Sequence, residues 1–230
     1  MAMESMVTAF ANAFKSKRLV FRQMEDNDTD RTWLWKNLWS DPVGQGLSNY
    51  NVFVPSSEKT CKKDYESIIN NSLIAVFICL PPEPAAEGGD DDKSDKNEEG
   101  EKKKKQEEKE DEPKPRPIGM LVLSKPKADT FKMRTAIGLQ IAAAYQNKGY
   151  GREAVNWALD WAFTFGNMHR VDIGTPSFNE RALALYESIG FKLEGRTREV
   201  FFMNRRWWDD LCLGMLVHEW EDLRGLKVAK

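Results

Sequence analysis

Apolar and polar residues alternate through "KSKRLVFRQ", residues 16–24, with Leu19 and Phe21 on one face, and this period of two predicts a strand. Asp28 and Thr29 stand where N-caps are expected for a helix carrying Trp33, Leu34, Trp35 and Leu38, which ends near Asp41-Pro42. A loop rich in Gly, Ser and Asn is expected from there to about Val54. Ser56 and Ser57 offer caps for a second helix running to Asn70 or Asn71, with Tyr65, Ile68 and Ile69 on its buried face. "LIAVFICL", 73–80, is continuously apolar and rich in β-branched residues, as a strand covered on both faces should be.

A strand pattern resumes at "IGMLVLS", 118–124, and a further strand is predicted over 133–142. Residues 151–165 read as a helix with Val155, Ala158, Leu159 and Ala162 on one side. "RVDIGT", 170–175, is a strand. Asn179 to Ile189 forms a second helix, with Ala182, Leu185, Tyr186 and Ile189 at helical spacing and Gly190 at the stop. The last two apolar stretches make a hairpin that turns at Asn204-Arg205. The order β-α-α-β-β-β-α-β-α-β-β demands a mixed α/β sheet with helices on its faces.

Composition matters chiefly in one segment. Between Glu83 and Arg116 stand fourteen acidic residues, nine Lys or Arg and no aromatic. Such a stretch cannot bury enough apolar surface to offset its ordering entropy, so residues 82–117 are expected to be a disordered insertion between two adjacent strands. Loop-closure entropy grows only logarithmically with length, which makes an interruption of this size tolerable. Residues 1–15 read as an extension, 16–224 as one interrupted domain and 225–230 as a tail. The body left after removing the insertion is only weakly basic, unlike a nucleic-acid binder.

Cys61, Cys79 and Cys212 are far apart and lack metal-ligand spacing. No metal site is expected, and Cys79 and Cys212, in apolar runs, read as buried reduced thiols. No apolar run approaches the ~18 residues of a membrane span, and the first fourteen residues are too short and polar for a secretory core. A soluble, cytoplasmic protein without a membrane partner is expected. The Lys102–Lys105 run makes the nucleus the alternative, although its acidic flanks favour a solvated mixed-charge loop.

Candidate chemistry concentrates in "AYQNKGYGREAV", 144–155. Gly149 to Ala154 fits G-x-G-x-x-[GA], the dinucleotide fingerprint, and Gln146 to Gly151 fits Q-x-x-G-x-G. The dinucleotide reading fails on context. Four polar residues separate the strand from Gly149, too little chain remains for a second βαβαβ half, and a hairpin closes the sequence. Either motif brings N–H groups from Gln146, Asn147, Lys148, Gly149, Tyr150 and Gly151 together at a helix start, an anion cradle that Lys148 and Arg152 reinforce.

"IGLQIAAAYQNKGYGREAVNWALDWAF" and "NERALALYESIGFKLEGRTRE" together resemble the GCN5-related N-acetyltransferase (GNAT) superfamily. "EGRTREVFFMNRRWWDDLCLGMLVHEW" is similar to its ribosomal-protein-alanine acetyltransferase-like branch. The resemblance implies a mostly antiparallel sheet splayed at the cofactor site, and acetyl-coenzyme A as acetyl donor. It further implies that Gly138 marks a bulge opening the V, and that the backbone of Leu139, Gln140 and Ile141 pairs with the pantetheine arm. Asn179 then contacts that arm, and Tyr186 protonates the departing thiolate. An N-cap for Asn179 and a core position for Tyr186 are the structural alternatives.

Many relatives carry glutamate two residues before the bulge glycine; here Ala136 stands there. Either another residue accepts the proton, with Glu199 or Asp209 as candidates, or the amine arrives neutral and water carries it. The expected acceptor is a primary amine, on a small molecule or a protein N-terminus, with Asn49 and Tyr50 lining its approach and Trp207-Trp208 at the acceptor side or a dimer contact. Monomer and homodimer both remain open. The alternatives to an acetyltransferase are a non-catalytic acyl-coenzyme A-binding module and a protein that docks partners through its acidic insertion.

Overall fold

The computed structural model describes residues 2–48, 53–82, 114–126 and 133–226. An α-helix, α1 (Ala2–Asn12), precedes the first strand, β1 (Val20–Gln23). Then come α2 (Asp28–Leu34), prolonged by a π-turn over Trp35–Trp39, and α3 (Pro42–Ser48), α4 (Glu58–Asn71) and β2 (Ser72–Leu80). The rest runs β3 (Arg116–Ser124), β4 (Arg134–Ile141), α5 (Tyr150–Thr164), β5 (Arg170–Pro176), α6 (Glu180–Ile189), β6 (Lys192–Met203), β7 (Arg206–Leu216) and α7 (Val217–Arg224). The strands form one sheet in the order β1-β2-β3-β4-β5-β7-β6. All pairings are antiparallel except β4 with β5.

The continuous apolar run of β2 is explained by two cores, one on each face of the sheet. Ile74, Val76 and Ile78 join the core that includes Val155, Ala158, Leu159 and Ala162 of α5. Ala75, Phe77 and Cys79 turn the other way, toward Leu34, Leu38 and Tyr65. A strand with polar residues on one face could not sit there, because both sides are closed by helices. Leu19 and Phe21 are buried as the alternation predicts, and Phe21 stacks on Trp157 of α5 with ring centroids 3.6 Å apart. The closing hairpin turns through Asn204 and Arg205 at φ 49° and 61°, the two-residue left-handed turn whose twist matches paired strands.

Several expectations need correction. The cap of α2 is Asn27, whose side chain accepts from the Asp30 N–H. Asp28 and Thr29 instead lie in its first turn. The expected loop after Pro42 begins as a helix, α3, because the Asp41 carboxylate accepts the N–H groups of Val43 and Gly44. Proline at the first helical position needs no such partner. Cys212 is exposed, since β7 alternates and turns Leu211 and Leu213 inward on either side of it, whereas Cys61 and Cys79 are buried. Burial pushes both of those thiols up to about 11, which keeps them protonated and unreactive.

The charged stretch 83–113 lies outside the described residues. Arg116 and Pro117, read as insertion, pair with Leu80 and Cys79 and belong to the sheet. The end of the chain adds a helix the pattern did not predict: α7 seats Trp220, whose indole donates to Asp160 Oδ1 of α5 at 2.8 Å. Among the described residues no helix is long and apolar enough to cross a membrane.

Candidate functional site

The parallel strands β4 and β5 pair over only three positions, Arg134↔Arg170, Thr135↔Val171 and Ala136↔Asp172. Asp172 fastens this short contact by ion pairs to Arg134 Nη2 (2.6 Å) and Arg170 Nε (2.5 Å). Beyond Ala136 the strands diverge. β4 stays on β3 as far as Ile141, and β5 stays on β7 as far as Pro176. The facing edges of Ile137–Ile141 and Ile173–Pro176 are therefore left without strand partners, and a V opens between them. No bulge at Gly138 produces it: Gly138 faces Val122 in unbroken register with β3. The opening comes from the divergent pairing itself.

The V is one wall of a cavity of about 510 Å³, within the range of small-ligand sites. Leu139, Gln140 and Ile141 line it, although the Gln140 amide turns away to donate to the Leu38 carbonyl at 3.1 Å. At the end of β4 the chain makes a 3-10 turn, Ala143–Tyr145, and then the glycine-bearing loop. The Gln146 amide donates back to the Ile141 carbonyl (2.9 Å), which holds the loop at the mouth of the V. Asn147 and Gly149 adopt positive φ, 61° and 81°. Gly149 caps α5 without a side-chain acceptor, so the first-turn N–H groups of this fifteen-residue helix are free to meet a ligand.

The loop is clamped from behind by the N-terminal segment. Arg18 Nη1 donates to the Lys148 carbonyl at 3.0 Å, and Arg18 Nε donates to Glu153 Oε2 at 2.7 Å. Glu153 also accepts from Ser16 Oγ (2.8 Å) and the Arg18 N–H (2.6 Å). Burial pushes the Glu153 carboxyl up, but these hydrogen bonds and the Arg18 charge outweigh it and hold the carboxyl below the usual range. The carbonyl and the following N–H of a trans peptide point in opposite directions. Anchoring the Lys148 carbonyl on Arg18 thus turns the Gly149 N–H away from the clamp.

Of the predicted loop residues, Gln146, Asn147, Gly149, Tyr150, Gly151 and Arg152 all line the cavity. Lys148 does not; its ammonium lies 5.5 Å over the Tyr145 ring. Arg152 reaches the C-terminal turn of α6, donating to Ser188 Oγ at 2.6 Å. A second guanidinium, missed in the sequence, joins it. Arg181 in the first turn of α6 donates to Gln146 Oε1 (3.0 Å) and Asn147 Oδ1 (3.2 Å). Its place in the first turn of α6, where a cation opposes the helix dipole, is the one trace of it in the sequence, and Glu180 beside it weakens that trace.

Asn179 both caps α6 and lines the cavity. Its Oδ1 accepts from the Ala182 N–H (3.2 Å), and its Nδ2 donates to the Leu47 carbonyl of α3 at 3.2 Å. Tyr186 is 8% exposed and lines the same space, and burial pushes its hydroxyl up to about 12. Thr175, also in the wall, has a buried hydroxyl without a hydrogen-bond partner among the described residues. Gly44, Leu47 and Ser48 of α3 close the far side. A Cβ on Gly44 would meet Gln140 Nε2 at 2.6 Å, so a side chain there would displace the Gln140 amide from the Leu38 carbonyl. Asn49 and Tyr50 lie outside the described residues.

The two candidate bases sit elsewhere. Glu199 is exposed on β6 at φ 55°, in the irregularity between Thr197 and Phe201, and is not part of the wall. Asp209 accepts its N–H at 3.0 Å and pairs with Arg196 at 3.4 Å, so that carboxylate shapes the hairpin. Among the described residues, no Asp, Glu or His lines the cavity and no metal-binding cluster of three His, Cys, Asp or Glu occurs. The wall does carry Arg152 and Arg181. An open strand edge, a helix-start N–H cradle and two guanidinium groups together suit an extended ligand with an anionic end.

Residues 80–191 match the model of the Acetyltransferase (GNAT) family. Spermidine N(1)-acetyltransferase of Vibrio cholerae serotype O1 is 42% identical over 69 residues, covering 30% of this chain and 40% of that protein. The Escherichia coli K12 spermidine N(1)-acetyltransferase is 28% identical over 87 residues, 38% of this chain and 47% of that protein. The chain thus spans under half the length of these two relatives. Among solved structures, the Vibrio cholerae spermidine N-acetyltransferase in complex with CoA and spermine superposes with a TM-score of 0.65 at 20% identity, over 89% of this chain and 99% of that one. A GNAT-family acetyltransferase from Bacillus anthracis gives 0.63 at 18% identity, over 89% and 98%.

Proposed function

We propose that the chain is an acetyltransferase of the GNAT type, as the match of residues 80–191 to that family's model supports, and that it transfers an acetyl group from acetyl-coenzyme A to a primary amine by direct attack. The observation that carries this reading is the open β4 edge running into the N–H-lined loop, with Arg152 and Arg181 beside it. Acetyl-coenzyme A supplies an activated thioester at one end of an extended amide arm and phosphates at the other. The first-turn N–H groups from Gly149 to Arg152 hold a phosphate. Gly149 fits this task, because its φ of 81° resists any side chain and a Cβ there would lie 3.2 Å from Arg18 Nη2.

The open edge of β4 at Leu139, Gln140 and Ile141, on the side away from β3, takes the amide arm as an added strand. One of these N–H groups donates to the thioester oxygen, where negative charge develops. Asn179 fixes the height of α6 against α3, and so the distance of Tyr186 from the arm. The amine nitrogen bonds to the acetyl carbon as the carbon–sulfur bond breaks. Tyr186 gives its phenolic proton to the departing sulfur and regains one from solvent. Water carries the amine's proton away, in keeping with a wall free of carboxylates among the described residues.

The acceptor enters beside α3, past Leu47 and Ser48. A primary amine is supported by the relatives named for spermidine, and protein N-termini carry the same reacting group. The missing carboxylate favours one second reading, a module that binds acyl-coenzyme A without turnover. Incubation of the chain with acetyl-coenzyme A and spermidine, a small monoamine or a free-N-terminal peptide separates them. Acetylated amine and free thiol in equal amounts are expected, by mass spectrometry and thiol assay. Tight binding with no product from any acceptor would support the module instead.

A further inference from the structure

We infer that the groove between α1 and α5 is a second ligand site, which takes a small amphipathic anion: a carboxylate head on an aliphatic body. The groove holds about 680 Å³, within the range of small-ligand sites. Along its floor Trp157 and Trp161 stand one turn of α5 apart, with Phe165 a further turn on. Ala9 of α1 and Ala13 just beyond it form the facing wall. Trp157 stacks on Phe21, and its indole donates to the Ala13 carbonyl at 2.9 Å, which ties the end of α1 to α5. Phe165 remains 38% exposed, and Phe10, with its ring centroid 6.2 Å away, 57%. Rings left open along a concave surface are the kind of contact an apolar ligand body covers.

Charge selects the head group. Lys15, Lys17, Arg18 and Arg152 line the groove against two carboxylates, Glu153 and Asp160. Both carboxylates are already engaged, Glu153 by Ser16 and Arg18, Asp160 by the Trp220 indole and by Arg224 Nε at 2.8 Å. Lys15 and Lys17 are exposed and have no ion-pair partner among the described residues. The uncompensated charge is therefore positive, and it stands beside an apolar wall. A flat partner, such as a membrane surface or another protein, would meet the lysines and leave the concave space between the helices unfilled. A small molecule with one anionic end answers both features. The site stands apart from the cofactor reading, although Gly149 and Arg152 line both spaces.

Decanoate is the probe, titrated by calorimetry into the full chain below micelle-forming concentrations. Decyltrimethylammonium carries the same tail on a cation, and butyrate the same head on a short tail. One-site binding of decanoate is expected, with both controls weaker by roughly tenfold or more. Lys15→Glu combined with Lys17→Glu should weaken decanoate by a similar factor, whereas Lys15→Arg with Lys17→Arg retains it. Melting curves check that both double variants are folded. Binding should persist in saturating acetyl-coenzyme A. If the chain binds no acetyl-coenzyme A, the lysine variants still decide the point, so the two readings fail separately. Equal affinity for decyltrimethylammonium, or indifference to the charge reversal, would overturn the assignment. Loss of decanoate binding in acetyl-coenzyme A would overturn it by placing the probe in the V. No decanoate binding at all would also overturn it. Capture by anionic phospholipid vesicles, or a concentration-dependent dimer, would in that case give the face to a membrane or to a second copy.

Discussion

Tyr186 carries its proton under conditions where a surface tyrosine begins to lose it, because burial pushes its hydroxyl up to about 12. A group so placed holds a proton that it can give only to a strongly basic partner such as a thiolate, and it is unfit to act as a base near neutrality. Tyr186→Phe keeps the ring and its edge contact with Phe191 but removes the proton. Turnover is expected to fall roughly 100-fold or more with acetyl-coenzyme A affinity nearly unchanged, measured by steady-state kinetics beside a binding titration. Equal loss of affinity and turnover would assign Tyr186 to packing. The stripe Ala182, Leu185, Tyr186 could be read as an apolar helix face from spacing alone, yet all three line the cavity. Period reveals that a side is covered and not whether protein or ligand covers it. Arg181 was missed because its two partners lie some 35 residues upstream, and pairing at that separation is set only by the fold.

The elements that hold the loop show how local pattern and tertiary contact divide the work. β1, α5 and α6 were legible from periodicity, and Gly190 ends α6 at φ 114° where the stop was expected. The opening between β4 and β5 was not legible, since strand divergence is a property of partners and leaves no mark at Gly138. Nor was α3, because glycine and serine argue against a helix until the Asp41 cap is seen. The clamp formed by Ser16, Arg18 and Glu153 gives a pH test at this scale. The Glu153 carboxyl is lowered in the folded state, so its contribution is complete above the unfolded carboxyl value of about 4.3 and fades as pH falls through the folded one. Glu153→Gln should cost about 1 kcal/mol near neutrality, a modest figure because Arg18 is 45% exposed. Melting curves of the two proteins should then converge in acid. A gap independent of pH would mean that the carboxylate charge is not what secures the loop.

Across the whole molecule, one sheet with a core on each face supports a cleft at the single parallel contact between its strands. The two halves, β1–β4 and β5–β7, are each antiparallel and continuous, so the cleft is rigid where its walls are and open where their pairing stops. Charge follows the same plan: Arg152 and Arg181 line the wall near the glycine-bearing loop, and no carboxylate among the described residues lines it with them. The rejected dinucleotide fingerprint and the GNAT loop differ in this context and not in their glycines. Calorimetric titration of the folded chain with acetyl-coenzyme A, beside NADH, tests the account most directly. One-site binding of acetyl-coenzyme A alone is predicted, with about 2.7 kcal/mol of added stability at a hundred times the dissociation constant. A folded chain that gives no heat and no stabilisation with acetyl-coenzyme A, or that binds NADH in its place, would contradict it.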